Sequence, residues 1–257
     1  MQQLNINGNS YNVTNRKKFV GTVVNNESLK QIIDFSYDMS FGAGHHRQHR
    51  SGGTNMRKAG EQFCNVFQGK LAEVVVREYL MSKRLDVNEP DFNVYGIGVW
   101  DDSDLYVNGK NISVKSAAHF SNLLLLETKD YDDYGNYIPN LKTGKISKYD
   151  YYVLVRINPD IKTIFRKNKL LYNECIDRQT IEKLIFSQEW KFEITGFVSH
   201  DDFVSVINNR HIIPQNAMLN GNTKMDADNY YIQASDMRNI IELPYHLYSC
   251  IFTLWRN

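Results

Sequence analysis

The stretch Asp104 to Lys115, DLYVNGKNISVK, decides how this chain is read. Asn108-Gly109 between alternating apolar and polar residues is the strongest short-range signal for a two-residue hairpin turn of type I′. Such a turn fixes the register. Val107 stands opposite Lys110, Tyr106 opposite Asn111, Leu105 opposite Ile112, and Asp104 opposite Ser113. Side chains alternate along a strand, so Leu105, Val107, Ile112 and Val114 are expected on one buried face. Asp104, Tyr106, Asn111, Ser113 and Lys115 fall on the other. A carboxylate and an ammonium are thereby brought together on the polar side of the hairpin.

Working outward, apolar residues from Glu61 to Arg84 recur at helical spacing, namely Phe63, Val66, Phe67, Leu71, Val74, Val75, Tyr79 and Leu80. Gly69 inside that helix carries a propensity cost, which points to close packing or close approach there. Glu73 falls near the edge of the apolar stripe. An earlier helix is expected after Ser28, through Leu29, Ile32, Ile33 and Phe35. Downstream, Ser116 to Glu127 fits either helix or strand, and Asp130 to Lys148 reads as a polar inserted loop. Tyr151–Ile157 reads as a central strand, Thr180–Trp190 as a helix and Phe192–Val198 as a strand. Ser199-His-Asp-Asp202 resembles a capping box before the helix Phe203–Ile207. The expected class is α/β (α+β), a mixed sheet flanked by helices with polar loop insertions.

The chain has 257 residues and a formal net charge of +1. That length suits a single domain with an ample core. The charge is uneven: residues 1–60 carry eight Lys and Arg against three acids, a surplus of five, so the remainder has a deficit of four. The balance excludes a uniformly basic DNA-coating protein and leaves a locally polarised one. Cys64, Cys175 and Cys250 form no CxxC pair, so neither a disulfide framework nor a zinc knuckle is indicated. The three histidines His45, His46 and His49 sit among glycines without a carboxylate, a poor zinc site. The opening MQQLNINGNSYNV has no basic-then-apolar pattern, and the run Leu123–Leu126 is far short of a membrane span. The expectation is a cytoplasmic protein with no membrane partner.

Phosphodiester hydrolysis needs a hard divalent cation, oxygen ligands for it, and a positive group near the attacked phosphate. A helix bearing Gly69, Lys70 and Glu73, followed by a hairpin with Asp104 on its first strand and Val114-Lys115 on its second, resembles the PD-(D/E)XK nuclease superfamily. Type II restriction endonucleases are the nearest in pattern. The resemblance covers Glu61 to Lys115 and, more loosely, the strands Tyr151–Ile157 and Phe192–Val198. It implies a restriction-endonuclease-like core. In it Asp104 is a metal ligand, Lys115 the catalytic lysine, and Glu73 the helix carboxylate added to the metal site. Ser113 stands where the family usually has Asp or Glu. A Ser-x-Lys variant recruits its acid from a later position, and Glu127 is the obvious recruit, so the second ligand is Glu73, Glu127 or both. Asp91, in a literal Pro-Asp, ranks below Asp104, because the hairpin places only Asp104 opposite Ser113. Singly, these residues also fit turn chemistry, a solvated strand end and a surface helix carboxylate. The functional reading rests on their order and faces taken together.

The resemblance implies Mg²⁺ (with Mn²⁺ able to substitute), double-stranded DNA as substrate at a short specific sequence, and a homodimer that cuts one strand per subunit. A repair, phage or defence nuclease without sequence preference, and a DNA-binding protein with a decayed site, are the alternatives. Three segments follow. Residues 1–60 hold an N-terminal helix and a basic Gly-rich loop, with Arg47, Arg50, Arg57 and Lys58 as DNA contacts. Residues 61–207 form the catalytic core. Residues 208–257 form a polar tail in which Asn216, Asn222 and Lys224 are candidate DNA contacts.

Overall fold

The computed structural model describes residues 1–42, 57–93, 104–139 and 148–248. Arg47, Arg50 and the three histidines lie outside them. The architecture is mixed α+β, and the hairpin takes the expected register. Strand β4 (Leu105–Val107) pairs antiparallel with β5 (Lys110–Ala118), Leu105 facing Ile112, Tyr106 facing Asn111 and Val107 facing Lys110. Asn108 and Gly109 both take positive φ, 48° and 80°, as a type I′ turn demands.

Numbering the other elements in chain order gives β1 (Asn5–Asn7), β2 (Ser10–Asn12), β3 (Thr22–Val23), α1 (Asn26–Phe41) and α2 (Ala59–Ser82) before the hairpin. After it come β6 (Leu123–Glu127), β7 (Tyr151–Asn158), α3 (Ile161–Lys167), α4 (Arg178–Phe186), β8 (Lys191–Ser199) and α5 (His200–Asn208). The tail supplies β9 (Ile212–Ile213), β10 (Met218–Leu219), β11 (Thr223–Lys224), β12 (Asn229–Gln233) and α6 (Leu243–Tyr248). The main sheet has the order β3-β8-β7-β5-β4, with β5 and β7 parallel and the other neighbours antiparallel.

Both faces of this sheet are covered, which is why β7 reads as a nearly unbroken apolar run. On one face α1 and α2 pack Ile33, Phe63, Phe67 and Leu71 against Ile112, Val114, Val153 and Val155. On the other, α5 and a second sheet, β6-β12-β9, pack Phe203, Leu124 and Leu126 against Tyr152, Leu154 and Val198. Tyr131 and Tyr149 belong to this second core. The supposed polar insertion therefore contributes an anchoring aromatic, Tyr131, near its start, and Tyr149 anchors the chain just after it.

Four expectations change. Helix α1 begins earlier, because Asn25 rather than Ser28 caps it by accepting from the Glu27 N–H. Gly69 is not a close-packing position, since a Cβ there would meet nothing within 4 Å; the packed glycine is Gly60, where a Cβ would lie 2.2 Å from the Leu170 carbonyl. Helix α3 went unread although Asp160 caps it, accepting from Thr163 N–H at 3.0 Å. The tail is not merely turns: β12 is buried along its whole length, and β10 pairs parallel with β2, tying the tail to the N-terminus in a small sheet β1-β2-β10-β11.

The capping box forms as expected, with Ser199 N–H donating to Asp202 at 3.0 Å and Asp202 N–H to Ser199 Oγ at 3.2 Å. Arg238 adds a two-pronged contact to the same carboxylate. Burial disfavours the Asp202 charge, but Arg238 and Ser199 outweigh it and hold the carboxyl below the usual carboxylate range. A lowered folded pKa gives stability that is present above the unfolded value, about pH 4, and lost as the pH falls through the folded value. Asp202→Ala is therefore expected to cost about 1–2 kcal/mol at neutral pH. Urea melts at neutral pH and in acid check this, the wild-type advantage shrinking in acid.

Candidate active site

Asp104 immediately precedes β4. The Val114 N–H donates to its Oδ2 at 2.6 Å, and the Ser113 hydroxyl donates to the same oxygen at 3.2 Å. Two donors on one oxygen fix the orientation of the carboxylate. Ser113 is fully buried, so its hydroxyl positions Asp104 and is not placed to attack a substrate. Lys115 lies two residues further along the same face, roughly 7 Å down the strand. Register confirms the face: Ser113 and Lys115 pair with Tyr152 and Leu154, which point into the α5 side of the sheet.

Strand β4 covers β5 only as far as Ile112, so among the described residues β5 beyond that point has no strand on its outer side. A cleft of about 740 Å³ runs along this edge. Its lining joins Lys115 and Ser116 of β5 to Asn65 and Gln68 of α2 and Arg166 of α3, with Arg57 nearby. Gln68 Nε2 donates to Ser116 Oγ at 3.3 Å. Lys162 also lines the cleft, paired with Glu61 at 4.0 Å. Asp160 is the acid among the described lining residues, and its carboxylate is occupied in capping α3. Neither the Lys115 nor the Arg166 side chain has a hydrogen bond or ion pair with any described residue. The cleft thus holds uncompensated positive charge, a setting that favours an anion.

Among the described residues Asp104, Glu73 and Glu127 do not gather as a group of three. Glu73 belongs to the helix on the opposite face of the sheet, and Lys70 takes its carboxylate in an ion pair beside the rings of Phe35 and Phe92. Strand alternation puts Glu127 with Leu123 and Leu125 on the face of β6 turned away from the main sheet. Among the described residues no three His, Cys, Asp or Glu side chains gather as a metal would need. The donor chemistry of Asp104 does fit a hard cation. Its Oδ1 makes no bond with a described residue, and Mg²⁺ is commonly held by one or two carboxylates, with waters and substrate phosphate completing the shell.

The expected DNA contacts divide. Arg57 lines the cleft, whereas Lys58 is exposed and paired with Glu174 at 2.7 Å. Asn216 takes positive φ in a turn and its carbonyl accepts from Asn9 Nδ2, a structural use. Asn222 and Lys224 are exposed at the β10–β11 hairpin. Gln68, Lys162 and Arg166 were missed. The Asp-x-x-Thr cap at Asp160–Thr163 was the available signal for the helix that carries the last two. Among the described residues no helix is long and apolar enough to cross a membrane. No family model, curated protein or solved structure matches this chain.

Proposed function

We propose that the chain is a Mg²⁺-dependent endodeoxyribonuclease of the restriction type, with a restriction-endonuclease-like core, acting on double-stranded DNA as a homodimer. One observation carries this reading. Asp104, Ser113 and Lys115 share one face of a register-fixed hairpin, and the Lys115 side chain, with no partner among the described residues, opens into a cationic cleft.

Each residue then has a task. Ser113 and the Val114 N–H hold the Asp104 carboxylate aligned. The Lys115 ammonium faces the scissile phosphate, orients the attacking water and stabilises the charge that builds on the phosphate oxygens. Gln68 borders the same space and offers a polar contact. Mg²⁺ (or Mn²⁺), held through Asp104, supplies Lewis-acid polarisation of the phosphate when bound.

A DNA-binding protein with a decayed nuclease site is the second reading, favoured by Ser113 standing where a carboxylate is usual. Mixed-sequence plasmid incubated with the purified chain and Mg²⁺ separates the two. Discrete fragments, lost with EDTA and in Lys115→Ala, support restriction. A smear supports a nuclease without sequence preference, and retarded but intact DNA supports the binder. A chain that neither shifts nor cuts DNA at low salt sinks both.

A further inference from the structure

A second cleft, of about 440 Å³, adjoins the first, and the two meet at Phe120, Asp160 and Thr163. Phe120 is 66% exposed at the tip of the turn between β5 and β6. A single exposed apolar residue is ordinary. The support and surroundings of this one are not. The turn is closed by Ser121 N–H donating to the Ala118 carbonyl at 2.8 Å and tied to β7 by His119 N–H donating to the Ile157 carbonyl at 2.9 Å. The buried Arg156 donates to the Ser121 carbonyl at 3.2 Å, and Asn122 Nδ2 donates to that of Phe120 at 3.3 Å. The His119 ring meets Phe120 edge-on with centroids 5.2 Å apart. An aromatic face is therefore presented to solvent on a backbone anchored at four points.

On one side of that face stand Lys115, Lys162 and Arg166, the last two one helical turn apart on α3. On the other side are Lys167 and the polar ends of Asn168 and Gln188. Cations that track a backbone beside an aromatic face that stacks a base are the two elements by which proteins hold unpaired nucleic acid. A fully paired duplex keeps its base faces internal and has none to offer Phe120.

We propose that Phe120 is a stacking platform for an unpaired DNA base, with Lys115, Lys162 and Arg166 taking the phosphates of the same strand. The choice of DNA rests on the nuclease reading above; the platform itself rests on the groove. Because the turn that carries the ring is already held in place, little backbone ordering is needed when a base lands on it.

Binding is measured in EDTA at low salt, so that no cutting occurs. Three probes of one sequence are used: a short single strand, the fully paired duplex, and that duplex with one unpaired 2-aminopurine. The single strand and the unpaired probe are expected to bind more tightly than the paired duplex, and the 2-aminopurine emission to be quenched on binding. Phe120→Ala and Phe120→Leu should weaken binding of those two probes by about 10- to 100-fold and lose the quench, while Phe120→Trp retains both. Arg166→Gln should weaken all three probes and reduce the salt slope by roughly 0.7–0.9. Phe120→Ala with unchanged preference and quench overturns the proposal, as does a wild-type chain that does not distinguish the probes. Plasmid cutting with Mg²⁺, run in parallel, keeps the two ideas apart. Intact cutting without Phe120-dependent binding overturns the platform alone. Phe120-dependent binding by a chain that never cuts overturns the nuclease reading alone.

Discussion

Lys115→Ala is expected to lower the rate of DNA cleavage by about 10²- to 10³-fold while leaving the fold intact. The size follows from the setting. Lys115 is half-buried, opens into a cleft of net positive charge, and its side chain has no hydrogen bond or ion pair among the described residues. A cation so placed is free to follow charge as it develops on a phosphate. Removing one such preorganised group from other enzymes costs about 2.7–4 kcal/mol of transition-state stabilisation. The same lack of partners means that little native structure depends on it, so the thermal midpoint should move by only a degree or two. Single-turnover cleavage and a melting curve on the same preparation check both halves. Cutting within about threefold of wild type would remove Lys115 from the chemistry. Lys115→Arg should recover little, because a planar guanidinium does not replace a point charge.

The second large effect concerns stability. Arg156→Met is expected to destabilise the fold by about 3–5 kcal/mol. Arg156 is fully buried in β7. Its guanidinium is paired with Glu193 on β8 and donates to the carbonyls of Lys17, Ser121 and Lys18 at 2.9, 3.2 and 3.1 Å. The ring of Phe19 packs over it. One side chain thus joins the main sheet to the N-terminal segment and to the turn that presents Phe120. Methionine fills much of the volume but leaves the Glu193 carboxylate without its partner and three carbonyls without donors. Urea melts measure the loss, and a cost below about 1 kcal/mol would show that water replaces the guanidinium. Arg156→Met combined with Glu193→Leu should recover part of the stability, since a buried charge is no longer left alone.

The readable parts of this chain were those governed by near neighbours. The turn at Asn108-Gly109 set the pairing of β4 with β5, because only positive-φ residues close a two-residue hairpin with the right twist. Ser199 and Asp202 announced the start of α5, because a capping box is contained within four residues. The strands at Tyr151 and Phe192 and the helix at Glu61 followed from periodicity. The errors share a cause as well. Gly69 looked like a contact because the sequence shows a glycine's propensity cost but not its neighbours, and it was Gly60 that met Leu170. The tail looked like surface because Asn and Gln are polar, yet Gln233 is fully buried and accepts from Thr14.

The candidate site divides along the same line. The sequence by itself determined that Asp104, Ser113 and Lys115 stand on one face, since that needs only a turn and an alternation. It could not determine where Glu73 and Glu127 point, because those directions depend on which side of the sheet α2 packs and which face of β6 turns inward. It could not bring Arg166 or Phe120 beside Lys115, because that contact is made by parallel pairing of β5 with β7 and the helix that follows. Local backbone preference acts over a few residues and is written in the order of the chain. The cleft, its charge and its exposed aromatic arise where hydrophobic burial forces distant segments together, and only the packed molecule decides them.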